Sequence, residues 1–147
     1  MKQLDVYIDG SCSGNPGPGG YAAVCQENGK TKVAGGHALE ATNNKMELMA
    51  AVHALETAIR VKGCDITFHT DSRYLIVCFS HDEKWLTQKG RANSELWEKL
   101  IKARDNGKHT IRFVKVAGHA GVKLNELADK YARAECAKAR HNLYENG

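Results

Sequence analysis

Apolar and polar positions alternate at the start of the chain. In "KQLDVYID", residues 2–9, Leu4, Val6 and Ile8 fall on one face, which is the two-residue period of a β-strand. Two more strands are expected at "GYAAVCQ" and "TKVAGGHA", joined across "ENGK", whose Asn28-Gly29 pair suits a tight hairpin turn. The period then changes. In "TNNKMELMAAVHALETAIRVKG", residues 42–63, Leu48, Val52, Leu55 and Ile59 recur at helical spacing and predict one long helix. Asn44 followed by Glu47 resembles a capping box and marks its start. "DITFHT" predicts a strand ending before Asp71, and "SRYLIVCFS" a helical stretch followed by a polar connection. "SELWEKLIKA" predicts a helix with Leu96, Trp97, Leu100 and Ile101 on one face, and "HTIRFVKV" a fifth strand. A last helix is expected from near Asn125 through "NELADKYARAECAKAR".

A three-stranded meander followed by crossover helices defines an α/β fold with a mixed five-stranded sheet in the order 3-2-1-4-5. Strands 1–3 are antiparallel, strands 4 and 5 run parallel to strand 1, and helices cover both faces. Such sheets bind ligands beyond the carboxyl ends of their strands, where the strand order reverses. Asp9 ends strand 1 and Asp71 ends strand 4, so this topology sets two carboxylates from distant segments side by side.

Composition narrows the picture only slightly. The 147 residues suit one domain, and no apolar run reaches the roughly 20 residues of a membrane helix, so no membrane association is expected. The chain begins as a strand rather than a secretory signal, which makes the cytoplasm the expected compartment. Cys12, Cys25, Cys64, Cys78 and Cys136 are scattered and never form C-x-x-C; they are expected as reduced, mostly buried thiols. Lys and Arg total 21 against 17 Asp and Glu, a net charge of +4 that suits a polyanionic partner without requiring one.

Two adjacent carboxylates repel unless positive charge lies between them. Carboxylate oxygens without neighbouring His or Cys favour a hard cation such as Mg²⁺, which retains waters that substrate phosphates can displace. Glu47, in the first turn of the long helix, and Asp129, one turn into the last, could complete the set. Each acid also has a plain structural reading: Glu47 as a cap, Asp129 as a solvated helix acid, Asp9 and Asp71 as turn formers. The glycine- and proline-rich stretch "DGSCSGNPGPGG" lacks the G-K-[ST] ending of a P-loop and precedes a strand. It reads as a tight hairpin rather than a nucleotide-triphosphate site.

The segments "YIDGSCSGNPGPGGYAAV", "TNNKMELMAAVHALE", "HTDSRYL" and "VAGHAGVKLNELADKYAR" resemble, in order and over nearly the whole chain, the four characteristic blocks of the type 1 ribonuclease H family, particularly its bacterial members. The resemblance implies a single ribonuclease H catalytic domain over residues 1–147, with no separate hybrid-binding module. It implies Mg²⁺-dependent cleavage of the RNA strand of RNA/DNA hybrids by two metal ions, with Mn²⁺ as an alternative, leaving 5′-phosphate and 3′-hydroxyl ends. The family's metal-binding carboxylates fall on Asp9, Glu47, Asp71 and Asp129, and its catalytic histidine on His119 in "AGHAG". Hybrid contacts fall on Gly10, Ser11, Cys12, Asn15, Asn43 and Asn44, and a DNA-phosphate pocket on Thr42. Arg73 stands where relatives commonly carry glutamine and is assigned a phosphate contact. A monomer without an obligate protein partner is expected. His37, His53, His69, His81, His109 and His141 lack this context and read as ordinary surface residues.

Two further positions depart from the family pattern. The lysine-rich protrusion of many bacterial relatives is reduced to "HDEKWLTQKGRANSELW", whose cations are Lys84, Lys89 and Arg91, and Glu40 stands where a basic residue is expected near the phosphate pocket. Rival readings fit less well. A non-catalytic hybrid-binding module would lack a carboxylate, another nuclease of the same superfold would lack the "GHAG" loop and "TNN" entry, and a glycosidase would need one acid held protonated in an apolar niche.

Overall fold

The computed structural model describes residues 1–116 and 122–146. Strands β1 (Lys2–Cys12), β2 (Gly17–Glu27) and β3 (Lys30–Ala41) form the expected antiparallel meander. Strands β4 (Cys64–Thr70) and β5 (Thr110–Lys115) extend it in parallel, giving the order β3-β2-β1-β4-β5. Asn28 and Gly29 turn β2 into β3 with φ of 51° and 77°, the paired left-handed conformation that matches strand twist in a two-residue hairpin.

Side-chain alternation sorts the two faces of the sheet. Leu4, Val6 and Ile8 are buried in one core with Leu48 and Val52 of helix α1 (Asn43–His53). The opposite face receives helix α5 (Val122–Asn146), which buries Ala128, Ala132, Cys136 and Ala139. Small residues allow that helix to lie flush on the strand. A Cβ at Gly20 would stand 2.3 Å from the Cys136 nitrogen and 2.4 Å from the Ala132 oxygen, so only glycine fits there. Helices α2 (Arg73–Cys78) and α4 (Ser94–Asn106) complete the α1 side, where Phe68, Phe79, Trp97 and Phe113 form an aromatic cluster with centroid spacings of 5.2–6.3 Å.

Four expectations are corrected. The first long helix is regular only to His53, continues as a π-helical turn over Ala54–Ala58, and ends where Ile59 becomes extended, so Ile59 joins no helical stripe. β-Branched Thr57, Ile59 and Val61 disfavour further helix, and Gly63 at φ 73° turns the chain into β4. The polar connection after α2 contains a short helix, α3 (Glu83–Leu86), capped by Asp82 and seating the buried Leu86. Helix α5 starts at Val122 rather than near Asn125. Of the five free cysteines only Cys64 and Cys136 are buried. Among the described residues no helix is long and apolar enough to cross a membrane.

Candidate active site

The site grows from one glycine. Thr42, not Asn44, caps α1: its extended backbone stops the helix, and its hydroxyl accepts a bond from the Lys45 N–H at 3.2 Å. Glu47 is therefore not a cap and turns inward. It can reach β1 because Gly10 has no side chain; a Cβ there would lie 2.8 Å from both the Glu47 nitrogen and the Met46 Cβ. The Gly10 N–H then donates to two carboxylates at once, Asp9 Oδ1 at 2.9 Å and Glu47 Oε1 at 3.0 Å. Thr70, fully buried at the end of β4, donates its hydroxyl to Glu47 Oε2 at 3.3 Å and accepts the Ser72 N–H at 2.9 Å. The sequence reading missed Thr70. Its one signal is its place directly before Asp71.

Asp129 on α5 lies near enough to act on Asp9 and pairs with Arg133 one turn along, at 3.2 Å. Asp71 follows β4 and is exposed. The β1–β4 register ends at the pair Tyr7 and His69, and Asp9 and Asp71 each lie two residues further on; Asp71 follows the end of β4, but Asp9 does not end β1, which runs on to Cys12 because it stays paired with β2. His119 lies outside the described residues.

Burial, together with the neighbouring Asp129, lifts the Asp9 carboxyl from 3.8 to about 6. Burial also raises Glu47 well above the usual carboxylate range, and the charge of Asp9 adds to that rise. Between pH 3.8 and about 6 the folded chain holds protons that the unfolded chain releases, so stability falls as pH rises through this window. In the presence of a chelator, Asp9→Asn should therefore raise neutral-pH stability by about 1–2 kcal/mol, after a discount for partial exposure. The gain should vanish at acid pH. Urea titrations at both pH values check this, and an equal effect at each would contradict it.

The donor set consists of carboxylate and hydroxyl oxygens, the chemistry of a hard cation. Among the described residues no three His, Cys, Asp or Glu side chains are gathered closely enough to hold an ion alone. Mg²⁺ suits such a set, because one or two protein carboxylates hold it while waters and substrate phosphates complete its shell.

The residues expected to contact substrate surround this point. Gly10, Ser11 and Cys12 close β1 opposite Tyr21, Gly20 and Gly19. The hairpin tip reaches α1 through Asn15, whose side-chain oxygen accepts the Asn43 N–H at 3.2 Å. Asn15, Asn43 and Asn44 are exposed, while Thr42 is half-buried by its capping role. Arg73 opens α2, exposed, beyond Asp71. In the short protrusion the Arg91 guanidinium lies 3.5 Å from the Trp85 ring centroid.

Comparison with known proteins settles the family. The sequence model described as RNase H matches residues 1–137. The chain belongs to the ribonuclease H family. It is similar to the ribonuclease H of Mesorhizobium japonicum, with 44% identity covering 90% of this chain and 77% of that protein. It is likewise similar to the ribonuclease H of Xanthomonas campestris, with 42% identity covering 97% and 98%. Among solved structures, LC11-RNase H1 in complex with an RNA/DNA hybrid superposes with a TM-score of 0.73, covering 92% of this chain and 98% of that one at 22% identity. That likeness shows that this type 1 ribonuclease H shares the fold of its structural neighbours.

Proposed function

We propose that the chain is a single-domain endonuclease that hydrolyses the RNA strand of RNA/DNA hybrids with Mg²⁺, leaving 5′-phosphate and 3′-hydroxyl ends. The observation that carries the reading is the shared Gly10 N–H, which holds two carboxylates together in a half-buried niche beside Asp129. Asp9, Glu47, Asp71 and Asp129 would hold the divalent ions. Bound there, a pair of ions, or Mn²⁺ in their place, supplies activation of the attacking water and stabilisation of the departing 3′ oxygen.

The protein's own groups prepare the site. Thr70 and the Gly10 N–H fix both oxygens of Glu47, so the carboxylate enters already oriented. Gly10, Ser11 and Cys12 offer main chain to a sugar-phosphate backbone. Asn15, with Asn43 and Asn44, reaches the wide minor groove where RNA displays its 2′-hydroxyls. Thr42 and Arg73 contact phosphates on either side, and His119 moves a proton or helps product leave. The relative solved with a bound hybrid supports this choice of substrate. In this reading the chain acts as a monomer in the cytoplasm.

Incubation with labelled RNA/DNA hybrid, double-stranded RNA and double-stranded DNA tests the reading. Only the hybrid should be cut, only in its RNA strand, and only with Mg²⁺ or Mn²⁺ present. Cutting that persists in excess chelator would overturn the metal assignment, and cutting of duplex DNA would overturn the substrate.

A further inference from the structure

Directly beneath Asp9 on β1 lies a second polar cluster that the family assignment does not use. Asp5 and Tyr7 precede Asp9 at the two-residue strand period and so share its face, with Thr67 and His69 at the matching positions of β4. The Tyr7 and His69 rings are stacked, with centroids 4.3 Å apart and planes 10° from parallel. His69 Nε2 also donates to Asp5 Oδ1 at 2.8 Å, a diagonal bond across the ladder because Asp5 itself pairs with Thr67. An ionised carboxylate only accepts, so Nε2 carries the hydrogen and the ring is fixed in orientation as well as position.

This pair sits at a particular level of the sheet. Tyr7 and His69 are the last register step between β1 and β4. Beyond them β1 continues against β2 as far as Cys12, while β4 stops at Thr70. The spacing of Asp9 and Asp71 is therefore inherited from the last joined pair, and that pair is a ring stack braced by a hydrogen bond. A preformed site binds more tightly because no ordering cost remains, so whatever fixes the two strands before an ion arrives bears on affinity.

We propose that Tyr7, His69 and Asp5 form a positioning cluster that sets the separation of Asp9 and Asp71, and thereby the affinity of the site for its divalent cation. The proposal rests on the metal-dependent reading above. His69 touches neither substrate nor ion. It acts through the strand ends, as outer-shell partners do when they orient first-shell ligands.

The test uses the full chain and three variants: His69→Ala, which loses stack and brace; His69→Phe, which keeps the stack; and Asp5→Ala, which loses only the brace at an exposed position. The readouts are the Mg²⁺ concentration giving half of the metal-induced rise in Tm, and that giving half-maximal hybrid cleavage, with KM and kcat at saturating Mg²⁺. His69→Ala should raise both Mg²⁺ midpoints about three- to tenfold, between the effect of a cross-strand pair and that of an outer-shell partner. KM for hybrid should not change, His69→Phe should recover most of the loss, and Asp5→Ala should shift the midpoints about twofold. If His69→Ala does not fold, Asp5→Ala carries the test, and unchanged midpoints there overturn the proposal. A lower Tm in chelator with wild-type Mg²⁺ midpoints would show a merely structural role and overturn it alone. A wild-type chain whose Tm ignores Mg²⁺ would overturn the metal reading and this proposal with it.

Discussion

Asp9→Asn and Asp71→Asn should each lower Mg²⁺-dependent cleavage of an RNA/DNA hybrid on the order of a thousandfold, the loss expected when several kcal/mol of transition-state stabilisation is removed. The two substitutions reach that result by different routes. Asp9 shares the Gly10 N–H with Glu47 and lies beside Asp129, so its replacement removes the central carboxylate of the cluster. Asp71 stands apart and exposed at the end of the neighbouring strand, so its replacement leaves the Asp9–Glu47 arrangement intact. Asp71→Asn should therefore keep the folded chain near wild-type stability in chelator, whereas Asp9→Asn should gain stability at neutral pH. Single-turnover cleavage with calorimetric Mg²⁺ titration separates binding from chemistry. Full activity in Asp71→Asn would remove that residue from the metal set.

Gly20→Ala should cost about 2–3 kcal/mol of stability, at the upper end for overpacking, because its obstacle is main chain rather than a side chain that can rotate away. The new methyl would fall inside contact distance of the Cys136 nitrogen and the Ala132 oxygen, both within α5. The helix must lift from β2 or the strand must bend. Either response moves Asp129, which α5 carries toward Asp9, so cleavage should fall with stability at a position far from any reacting atom. Thermal unfolding and hybrid cleavage measured on the same preparation check both parts. Unchanged stability would mean that α5 can shift on the sheet at little cost, and unchanged activity in a destabilised variant would uncouple helix docking from the site.

Much of this molecule is legible in its residues. The alternation of Leu4, Val6 and Ile8, the Asn28-Gly29 turn and the helical stripe of Leu48, Val52 and Leu55 are local patterns, and each appears in the fold where expected. Strand order followed from connection rules, and with it the placement of Asp9 and Asp71 at matching levels of neighbouring strand segments. Other features had no local signature. Asn44 with Glu47 reads as a capping box, but whether a glutamate turns back to cap or inward to a strand depends on what lies opposite the helix, and here that is the bare backbone of Gly10. Thr70 and His69 are unremarkable in "FHTD" until the neighbouring strand supplies their partners.

By itself the sequence determined the period of each segment, the turns between them and the chemical type of every candidate ligand, because these depend on residues adjacent in the chain. Tertiary structure alone decided which oxygens share a donor, how deeply Glu47 is buried, and which rings stack beneath the site. Those outcomes depend on distances between segments dozens of residues apart, and glycines such as Gly10 and Gly20 set them by the side chains they lack.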